Sequence, residues 1–386
     1  MTDTILYSGA VAQTIRQGGL SWFHLQFLLG FRRLGYDVIL LDRLDSGMCT
    51  DTSGAPAAFS DSVQRHGFLA LMDRFGLAGS FSLDIDRGAT VLGIPRADVL
   101  ERAQSAACLV NVMGYCDDPA ILDAVSRRVF LDIDPGFPQM WRALGLHDAF
   151  VGHDRFATLA RRIGQPGCTI PTCGLDWITL PQPVVLDEWP VAPPRPDGAF
   201  TSIGAWRGPN GPVEYAGHTY GLRCHEMRTF LDVPGRCPGE IFEQALDIHP
   251  GDQRDIEALG AHGWRLVDPS AVAGSPEAYR DYVASSKAEF LVPKQMYVDT
   301  QGGLLSDRSA YYLASGRPVL ARDTGLAGLY PLGEGLLTFT TPAEAAVGAA
   351  AIAADYPRHC RAARGIAEAA FDSDRVLPQF LADVLA

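Results

Sequence analysis

The chain has 386 residues, of which 47% are apolar and 20% are charged, and its formal net charge is −13. That length and apolar content suit two globular domains and exclude disorder over most of the chain. The negative charge argues against a nucleic-acid-binding protein, which would need a basic face. The eight cysteines show no zinc-site spacing, so we expect buried thiols in a reducing cytoplasm. No run of about 18 apolar residues occurs, and we therefore expect no membrane span.

The first half of the chain alternates short strands with amphipathic helices. Strands are predicted at residues 5–8, 38–41, 108–113 and 129–133, and helices at residues 20–34, 61–75 and 119–127. Alternation of this kind is typical of a parallel sheet covered by helices. We therefore predict that residues 1–185 form a Rossmann-like domain.

A proline-rich segment separates the two halves. Six prolines lie between residues 181 and 196, which indicates a stiff, extended connection. A second alternation follows, with strands predicted at 200–203, 245–248, 264–267, 289–292 and 319–321 and helices at 276–285, from about 306, at 343–354 and at 376–385. The fold class is therefore α/β, and residues 186–386, with the terminal helices, are predicted to form a second Rossmann-like domain.

The segment from residue 306 to residue 325 contains the strongest local signal for a binding site. Ser306 suits the N-cap position of a helix, Asp307 lies in its first turn, and a Gly-x-Pro element then ends it. A helix start beside Arg308 offers backbone N–H groups and positive charge to an anion such as a diphosphate. We therefore predict that the helix start from Ser306 to Ser309 binds a diphosphate.

This segment resembles a known donor site. Small polar residues that open a helix, followed by Ala-x-Gly-x-Pro-Val and a strand, resemble the signature of nucleotide-sugar glycosyltransferases with the GT-B fold. Over residues 130–325 the chain is similar to a group of predicted bacterial glycosyltransferases of this type. The segments that carry the likeness are Asp132-Ile-Asp134-Pro-Gly136, Ile170-Pro-Thr-Cys-Gly174, Gly211-Pro-Val-Glu214-Tyr215, Leu246-Asp247-Ile248-His249-Pro250 and Ser306-Asp307-Arg308-Ser309. Tyr311 stands where many members have a glutamate for the donor ribose, so the ribose must be recognised elsewhere.

The resemblance implies two Rossmann-like domains facing across a cleft, the GT-B architecture. The first domain would bind a small-molecule acceptor, with natural products as one class, and the second would bind a nucleoside diphosphate sugar as co-substrate. Because cations and a helix start would stabilise the departing diphosphate, we expect no metal ion and no other cofactor. Two further hypotheses are a nucleotide-sugar epimerase or hydrolase of the same fold, and a nucleotide-binding non-transferase such as a dehydrogenase. The sequence leaves open the donor, the stereochemical outcome and the oligomeric state.

Two segments of the first domain supply candidate acceptor-side residues. Gly18 and Gly19 lie in a loop between the first strand and the first helix, where the backbone could approach an acceptor closely. His24 follows them and is one candidate for the general base, unless it is simply an inward-facing polar residue of the helix. Asp132 and Asp134 end a strand, and the spacing also suits a metal site, a phosphatase-like start or a turn cap. We favour the acceptor side, with Asp132 as a binding residue and Asp134 as the second candidate base.

Further donor-binding residues are expected in the loops that follow strands of the second domain, because ligands of open α/β sheets bind at the carboxyl ends of strands. Arg207 and Lys294 would neutralise phosphates, and Tyr297 would stack on a base. Asp323 could instead cap a turn. The residues predicted in these loops are Gly204, Trp206, Arg207, His249, Lys294, Tyr297, Asp323 and Thr324.

Overall fold

The computed structural model describes residues 3–386, and within them the first eight strands form one sheet. The strands are β1 (Thr4–Ser8), β2 (Asp37–Leu44), β3 (Phe81–Ile85), β4 (Thr90–Gly93), β5 (Cys108–Val112), β6 (Arg128–Asp132), β7 (Arg155–Thr158) and β8 (Trp177–Thr179). Their order across the sheet is β4-β3-β2-β1-β5-β6-β7-β8. Neighbouring strands are parallel except β3 and β4, which pair antiparallel.

Helices cover both faces of this sheet. They are α1 (Gly18–Arg33), α2 (Val63–Arg74), α3 (Arg96–Ser105), α4 (Pro119–Ala124) and α5 (Phe137–Ala143). Apolar side chains of α1 and α2 pack with Ile5 and Tyr7 of β1, whereas those of α3 and α4 pack with Leu6. Because successive side chains of a strand point to opposite faces, β1 is buried on both sides, as a central parallel strand should be.

The second domain repeats this plan with a six-stranded parallel sheet. Its strands are β9 (Phe200–Ala205), β12 (Phe242–Asp247), β13 (Arg265–Leu266), β14 (Ala288–Leu291), β15 (Val319–Arg322) and β16 (Leu336–Phe339), and an antiparallel pair, β10 (Val213–Tyr215) and β11 (His218–Tyr220), lies beside it. The order is β13-β12-β9-β14-β15-β16. The helices are α6 (Arg223–Met227), α7 (Val233–Arg236), α8 (Gln253–Ala261), α9 (Pro269–Ala273), α10 (Pro276–Ser285), α11 (Gln295–Thr300), α12 (Asp307–Ala314), α13 (Pro342–Ala354), α14 (Tyr356–Ala370) and α15 (Ser373–Leu385).

Both sheets reverse their strand order beside their first strand. In the first domain β1 lies between β2 and β5, and in the second domain β9 lies between β12 and β14. Such a reversal leaves a crevice at the carboxyl ends of the strands, where ligands of open α/β sheets bind. The prediction of two Rossmann-like domains is confirmed. Over residues 3–386, none of the helices combines the length and apolar character needed to cross a membrane.

The chain crosses between the domains twice. The second crossing is made just before α15, which returns to the first domain and packs Phe380 on Phe31 of α1, with ring centroids 6.4 Å apart. The two crossing segments lie side by side, since the backbone N–H of Val184 donates to Phe371 O at 2.7 Å and that of Ser373 donates to Val184 O at 2.9 Å. The boundary at residue 185 stays a prediction; α15, which was predicted to belong to the second domain, packs against α1 and β8 of the first.

Candidate functional site

A cavity of about 270 Å³ lies between the two domains. The first domain lines it with Leu20, Phe23, Ile133, Asp134 and Leu159, and the second with Gly204, Ala205, Arg207, Gly208, Pro209, Arg223, Leu291, Pro293, Lys294, Tyr297, Leu304, Ser306, Asp307 and Arg308. Its lining includes four basic side chains and two acidic ones. The cavity therefore carries a surplus of positive charge, which suits an anionic ligand.

The start of α12 forms one edge of this cavity, as the sequence predicted for residues 306–308. Ser306 precedes the helix, but its hydroxyl donates to Asp307 Oδ1 at 2.9 Å and caps no backbone N–H group. Arg308 follows in the first turn. The predicted roles of these three residues in donor binding stay predictions, and their position at the cavity agrees with them.

Two guanidinium groups meet at this edge of the cavity. Arg223, in the first turn of α6, is 7% exposed and makes no hydrogen bond or ion pair with the described residues. Burial, together with the nearby charge of Arg308, lowers the pKa of Arg223 to about 9. A buried cation without a partner is costly unless a ligand supplies the opposite charge. Arg223 and Arg308 together therefore favour an anion that both can contact.

A buried carboxylate stands behind these arginines. Glu289 of β14 is fully buried, its Oε1 lies 3.5 Å from Arg308 Nε, and its Oε2 accepts from Ser309 Oγ at 2.6 Å. Burial raises the pKa of Glu289 to about 7, although the charge of Arg308 opposes the shift. Ser309, which was predicted to bind the donor, is itself buried and contacts Glu289 away from the cavity lining.

Asp134 projects from the first domain into a cluster of donors on the second. Its Oδ2 accepts from Lys294 Nζ at 2.6 Å and from Asn210 Nδ2 at 3.1 Å, and its Oδ1 accepts from the hydroxyl of Tyr297. The observed contacts of Tyr297 are thus with Asp134 and with Lys294, whose Nζ lies 5.4 Å from the ring centroid. This carboxylate is placed at the cavity by the end of β6, and it bridges the two domains.

Asp132 has a different position from the one predicted. It is fully buried, its Oδ2 accepts from Gln139 Nε2 at 2.7 Å and from Thr158 Oγ1 at 2.8 Å, and its Oδ1 accepts the backbone N–H of Asp134. Burial raises its pKa to about 6. Asp132 therefore shapes the turn that presents Asp134, and it does not line the cavity. Within residues 3–386, no group of three or more acidic, histidine or cysteine side chains could hold a metal ion.

His24 lies inside α1 and does not line the cavity. It is 3% exposed, and its Nδ1 is 2.9 Å from the hydroxyl of Tyr7. Burial lowers the pKa of His24 to about 3, so the imidazole is neutral in the folded protein at neutral pH. Leu20 and Phe23 of the same helix reach the cavity instead. The arrangement agrees with an inward-facing polar residue of the helix.

We expect replacement of His24 by glutamine to make the protein less sensitive to mild acid. Below pH 6.5 the imidazole of His24 is protonated in the unfolded chain but stays neutral in the folded chain. The free energy of unfolding therefore falls as the pH falls from about 6.5 toward 3. At pH 5 this difference in protonation lowers the free energy of unfolding by about 2 kcal/mol. Urea unfolding at pH 7 and at pH 5 measures this effect. The decrease in the free energy of unfolding between the two pH values should be about 2 kcal/mol smaller in His24→Gln than in the parent. An equal loss in both proteins would contradict a buried, neutral His24.

Gly18 and Gly19 contact the second domain and not an open acceptor site. A Cβ on Gly18 would lie 2.2 Å from the carbonyl oxygen of Ser275, and one on Gly19 would lie 2.9 Å from the ring of Tyr279. Both partners belong to the start of α10. The absence of side chains lets α1 and α10 approach closely, and neither glycine lines the cavity. The two glycines therefore contact the second domain, where the sequence led us to expect contact with an acceptor.

Replacement of Gly18 by alanine should destabilise the protein by about 1–3 kcal/mol, because a backbone carbonyl must move to admit the methyl group. Gly79→Ala is the matched control, since a Cβ there meets no atom within 4 Å. Thermal and urea unfolding of both variants measure the effect. Equal stability of the two variants would show that the helices do not approach as closely as described.

The end of β9 and the loop that follows it contribute fewer groups to the cavity than predicted. Gly204 lines the cavity with φ of 154°, and a Cβ there would lie 3.1 Å from the guanidinium of Arg223. Arg207 also lines the cavity, but its guanidinium is already paired with Asp252 at 2.6 Å. Trp206 is buried in the core of the second domain and does not reach the cavity. The charge available in this loop is therefore smaller than the sequence indicated.

The remaining predicted loop residues lie outside the cavity lining, and their polar groups bond to nearby backbone. His249 Nδ1 accepts the backbone N–H of Gly251 at 3.0 Å, and Asp323 Oδ1 accepts two backbone N–H groups of its own turn, each at 3.1 Å. Thr324 Oγ1 donates to the carbonyl oxygen of Leu304 at 2.7 Å. The position of these three side chains gives no support to a role in donor binding.

Arg223 and Glu289 were not identified from the sequence as site residues, although each has an unusual position in it. Arg223 is a cation in the first turn of a helix, where the helix dipole disfavours positive charge. Glu289 is a carboxylate within an otherwise apolar strand, and a buried carboxylate requires a buried partner. Tyr311, at the position of the missing glutamate, is buried and stacks on Trp189 with ring centroids 4.5 Å apart. Tyr311 is therefore a core residue.

Comparison with known proteins identifies the fold. No protein-family model matches the chain, and no curated protein matches its sequence. Among solved structures it is similar to sucrose-phosphate synthase from Thermosynechococcus elongatus, with 12% identity, a TM-score of 0.56 and coverage of 98% of this chain and 97% of that one. It is also similar to an alpha-glucosyltransferase in complex with UDP, with 12% identity, a TM-score of 0.57 and full coverage of both chains, and to Anabaena HepE in complex with UDP and glucose, with 12% identity, a TM-score of 0.55 and 98% of each chain covered.

These likenesses extend over nearly the whole chain, and they show the fold. The chain has the GT-B fold, in which two Rossmann-like domains face each other across a cleft, as the sequence predicted. The cavity described above lies in that cleft.

Proposed function

We propose that the chain transfers a glycosyl group from a nucleoside diphosphate sugar to a small-molecule acceptor. The observation that carries the proposal is the pair of guanidinium groups of Arg223, which is buried, and Arg308, which is partly buried, beside the start of α12 in the interdomain cavity. The fold supports it, because the solved structures that the chain resembles include glycosyltransferases in complex with UDP. The acidic net charge of −13 favours a small acceptor over a nucleic acid.

A diphosphate is the ligand that these groups suit best. Guanidinium donors match phosphate oxygens in a bidentate geometry, and such charge-assisted hydrogen bonds are stronger than neutral ones. Backbone N–H groups at the start of a helix add donors that point at an anion. Arg223, Arg308 and Ser306 would therefore bind the diphosphate, while Lys294, which lines the same cavity, is paired with Asp134 of the first domain.

The proposed reaction needs only groups that line the cavity. The hydroxyl oxygen of the acceptor attacks the anomeric carbon, the bond from that carbon to the diphosphate oxygen breaks, and the diphosphate leaves with the bonding electron pair. Asp134 would accept the hydroxyl proton if the reaction inverts the anomeric centre. The two arginines would stabilise the charge that grows on the diphosphate, and on this scheme no metal ion is required. The eight free thiols suit our further proposal of a cytoplasmic location.

Thermal unfolding with added nucleotides tests the proposal. The diphosphate of uridine, thymidine or guanosine should stabilise the protein, by about 2.7 kcal/mol at a concentration of 100 times its dissociation constant. Stabilisation by a nicotinamide cofactor alone would favour a dehydrogenase and overturn the proposal. Incubation with labelled donor in the absence of acceptor distinguishes a transferase from an epimerase, which would release an altered sugar, and from a hydrolase, which would release a free sugar.

A further inference from the structure

The first domain presents an apolar wall to the cavity. Four of the five side chains that it contributes are Leu20, Phe23, Ile133 and Leu159, and the fifth is Asp134. The second domain adds Leu291 and Leu304 next to its basic groups. In the described part of the chain, Asp134 is therefore the only polar side chain on the first-domain side of the cavity.

The local structure explains why this wall is apolar and firmly held. Leu20 and Phe23 lie three residues apart on α1, so their side chains share one face of the helix. Phe23 also packs against Phe27 in the core, with ring centroids 5.3 Å apart. Ile133 follows the end of β6, and Leu159 follows the end of β7. The wall is thus built from a helix start and two strand ends, which are rigid parts of the domain.

Asp134 has little hydrogen-bonding capacity left for an acceptor. A carboxylate offers about four lone-pair positions, and Lys294, Asn210 and Tyr297 already donate to three of them. One further hydroxyl could be accepted. A saccharide brings several hydroxyl groups, each of which loses its hydrogen bonds to water on entering an apolar site and needs a new partner. The side chains of this wall offer no such partners.

From this wall we infer the class of acceptor: an apolar alcohol or phenol that presents a single reactive hydroxyl to Asp134, rather than a sugar. The inference rests on the proposed function, since it assigns the second substrate of that same reaction. The apolar body of the acceptor would contact Leu20, Phe23, Ile133 and Leu159. Its hydroxyl would then point toward the donor held between the arginines.

An acceptor panel tests the inference. The donor should be the sugar of whichever nucleoside diphosphate stabilises the protein most, and the acceptors should be 2-naphthol and cyclohexanol against glucose and glycerol. We expect kcat/KM for 2-naphthol to exceed that for glucose by about 100-fold or more, because apolar contact area distinguishes them. Calorimetry of 2-naphthol with the diphosphate present gives a second readout that does not depend on turnover.

A pair of leucine variants locates the acceptor. Leu20→Gln should lower kcat/KM for 2-naphthol by about 10-fold or more while leaving stabilisation by the diphosphate unchanged. Leu29→Gln is the matched control, because Leu29 is a partly buried residue of the same helix outside the cavity lining, and its activity should equal that of the parent.

Two results would overturn the inference without overturning the proposed function. Diphosphate stabilisation combined with preferred transfer to glucose or glycerol would contradict it and leave the proposed function intact. Equal activities of the Leu20 and Leu29 variants toward 2-naphthol would show that the wall does not contact the acceptor. If no nucleoside diphosphate stabilises the protein at all, the proposed function itself fails, and the inference fails with it.

Discussion

Replacing Arg223 with methionine is expected to weaken the binding of a nucleoside diphosphate by about 10- to 150-fold, with no loss of folding stability. Hydrogen bonds to a charged group contribute about 1.5–3 kcal/mol each, and the variant removes the donors. Arg223 is buried and makes no hydrogen bond or ion pair with the described residues, and burial lowers its pKa although the charges of Glu289 and Asp307 oppose the shift. Removal of its charge therefore also relieves an unfavourable burial. The thermal midpoint without ligand should therefore stay equal or rise, while the ligand-induced shift shrinks.

Arg228→Met is the matched control for this prediction. Arg228 lies at the end of the same short helix, but it is paired with Asp255 at 2.7 Å and does not line the cavity. Its replacement should leave the dissociation constant of the diphosphate unchanged. If Arg223→Met binds the diphosphate as tightly as the parent, the assignment of the arginine pair as the phosphate site is refuted.

Replacing Asp134 with asparagine is expected to lower kcat by about 10²- to 10⁴-fold, the range found when a general base is removed. Asparagine keeps the shape of the side chain and one acceptor oxygen for Lys294 or Tyr297, but it cannot take a proton from the acceptor. Because the arginine pair is untouched, the dissociation constant of the diphosphate should change by less than about threefold. Single-turnover kinetics with saturating donor separate the chemical step from binding.

Asp154→Asn provides the comparison for Asp134→Asn. Asp154 is a carboxylate of the same domain that pairs with Arg128 at 3.0 Å, away from the cavity, and its variant should keep the kcat of the parent. A kcat of Asp134→Asn within about threefold of the parent would exclude Asp134 as the base. The role left for Asp134 would then be structural, since its contacts with Lys294, Asn210 and Tyr297 join the two domains.

Much of the fold could be predicted because it depends on local pattern. Buried parallel strands are continuous apolar runs, and the predicted runs at 108–113 and 319–321 match β5 and β15 within about one residue. The position of α15 could not be predicted in this way. An amphipathic helix shows which of its own faces is apolar, but not which domain will cover that face.

The candidate site was predictable where a residue follows a predicted strand or stands at a predicted helix start. Asp134 and Lys294 reach the cavity because the ends of parallel strands meet at one edge of each sheet, and Arg308 reaches it from the start of α12. The same rule also selected Asp323 and His249, whose polar groups are used by their own turns. Sequence alone does not show whether a polar side chain forms its hydrogen bonds within its own turn. Asp323 and His249 do so, whereas Asp134 and Lys294 do not. Arg223 was missed because the elements next to it, β11 and α6, were not among the predicted strands and helices.

The paired crossings at Val184 and Phe371 link the two domains through neighbouring segments. Since these segments are hydrogen-bonded to each other, we expect any relative movement of the domains to bend both segments together. The second segment leads into α15, whose Phe380 packs on Phe31 of α1. The N-terminal and C-terminal helices thus move as one body. A label on α1 and a label on α15 should therefore keep a constant separation, while either one changes its distance to α8 whenever the cleft opens.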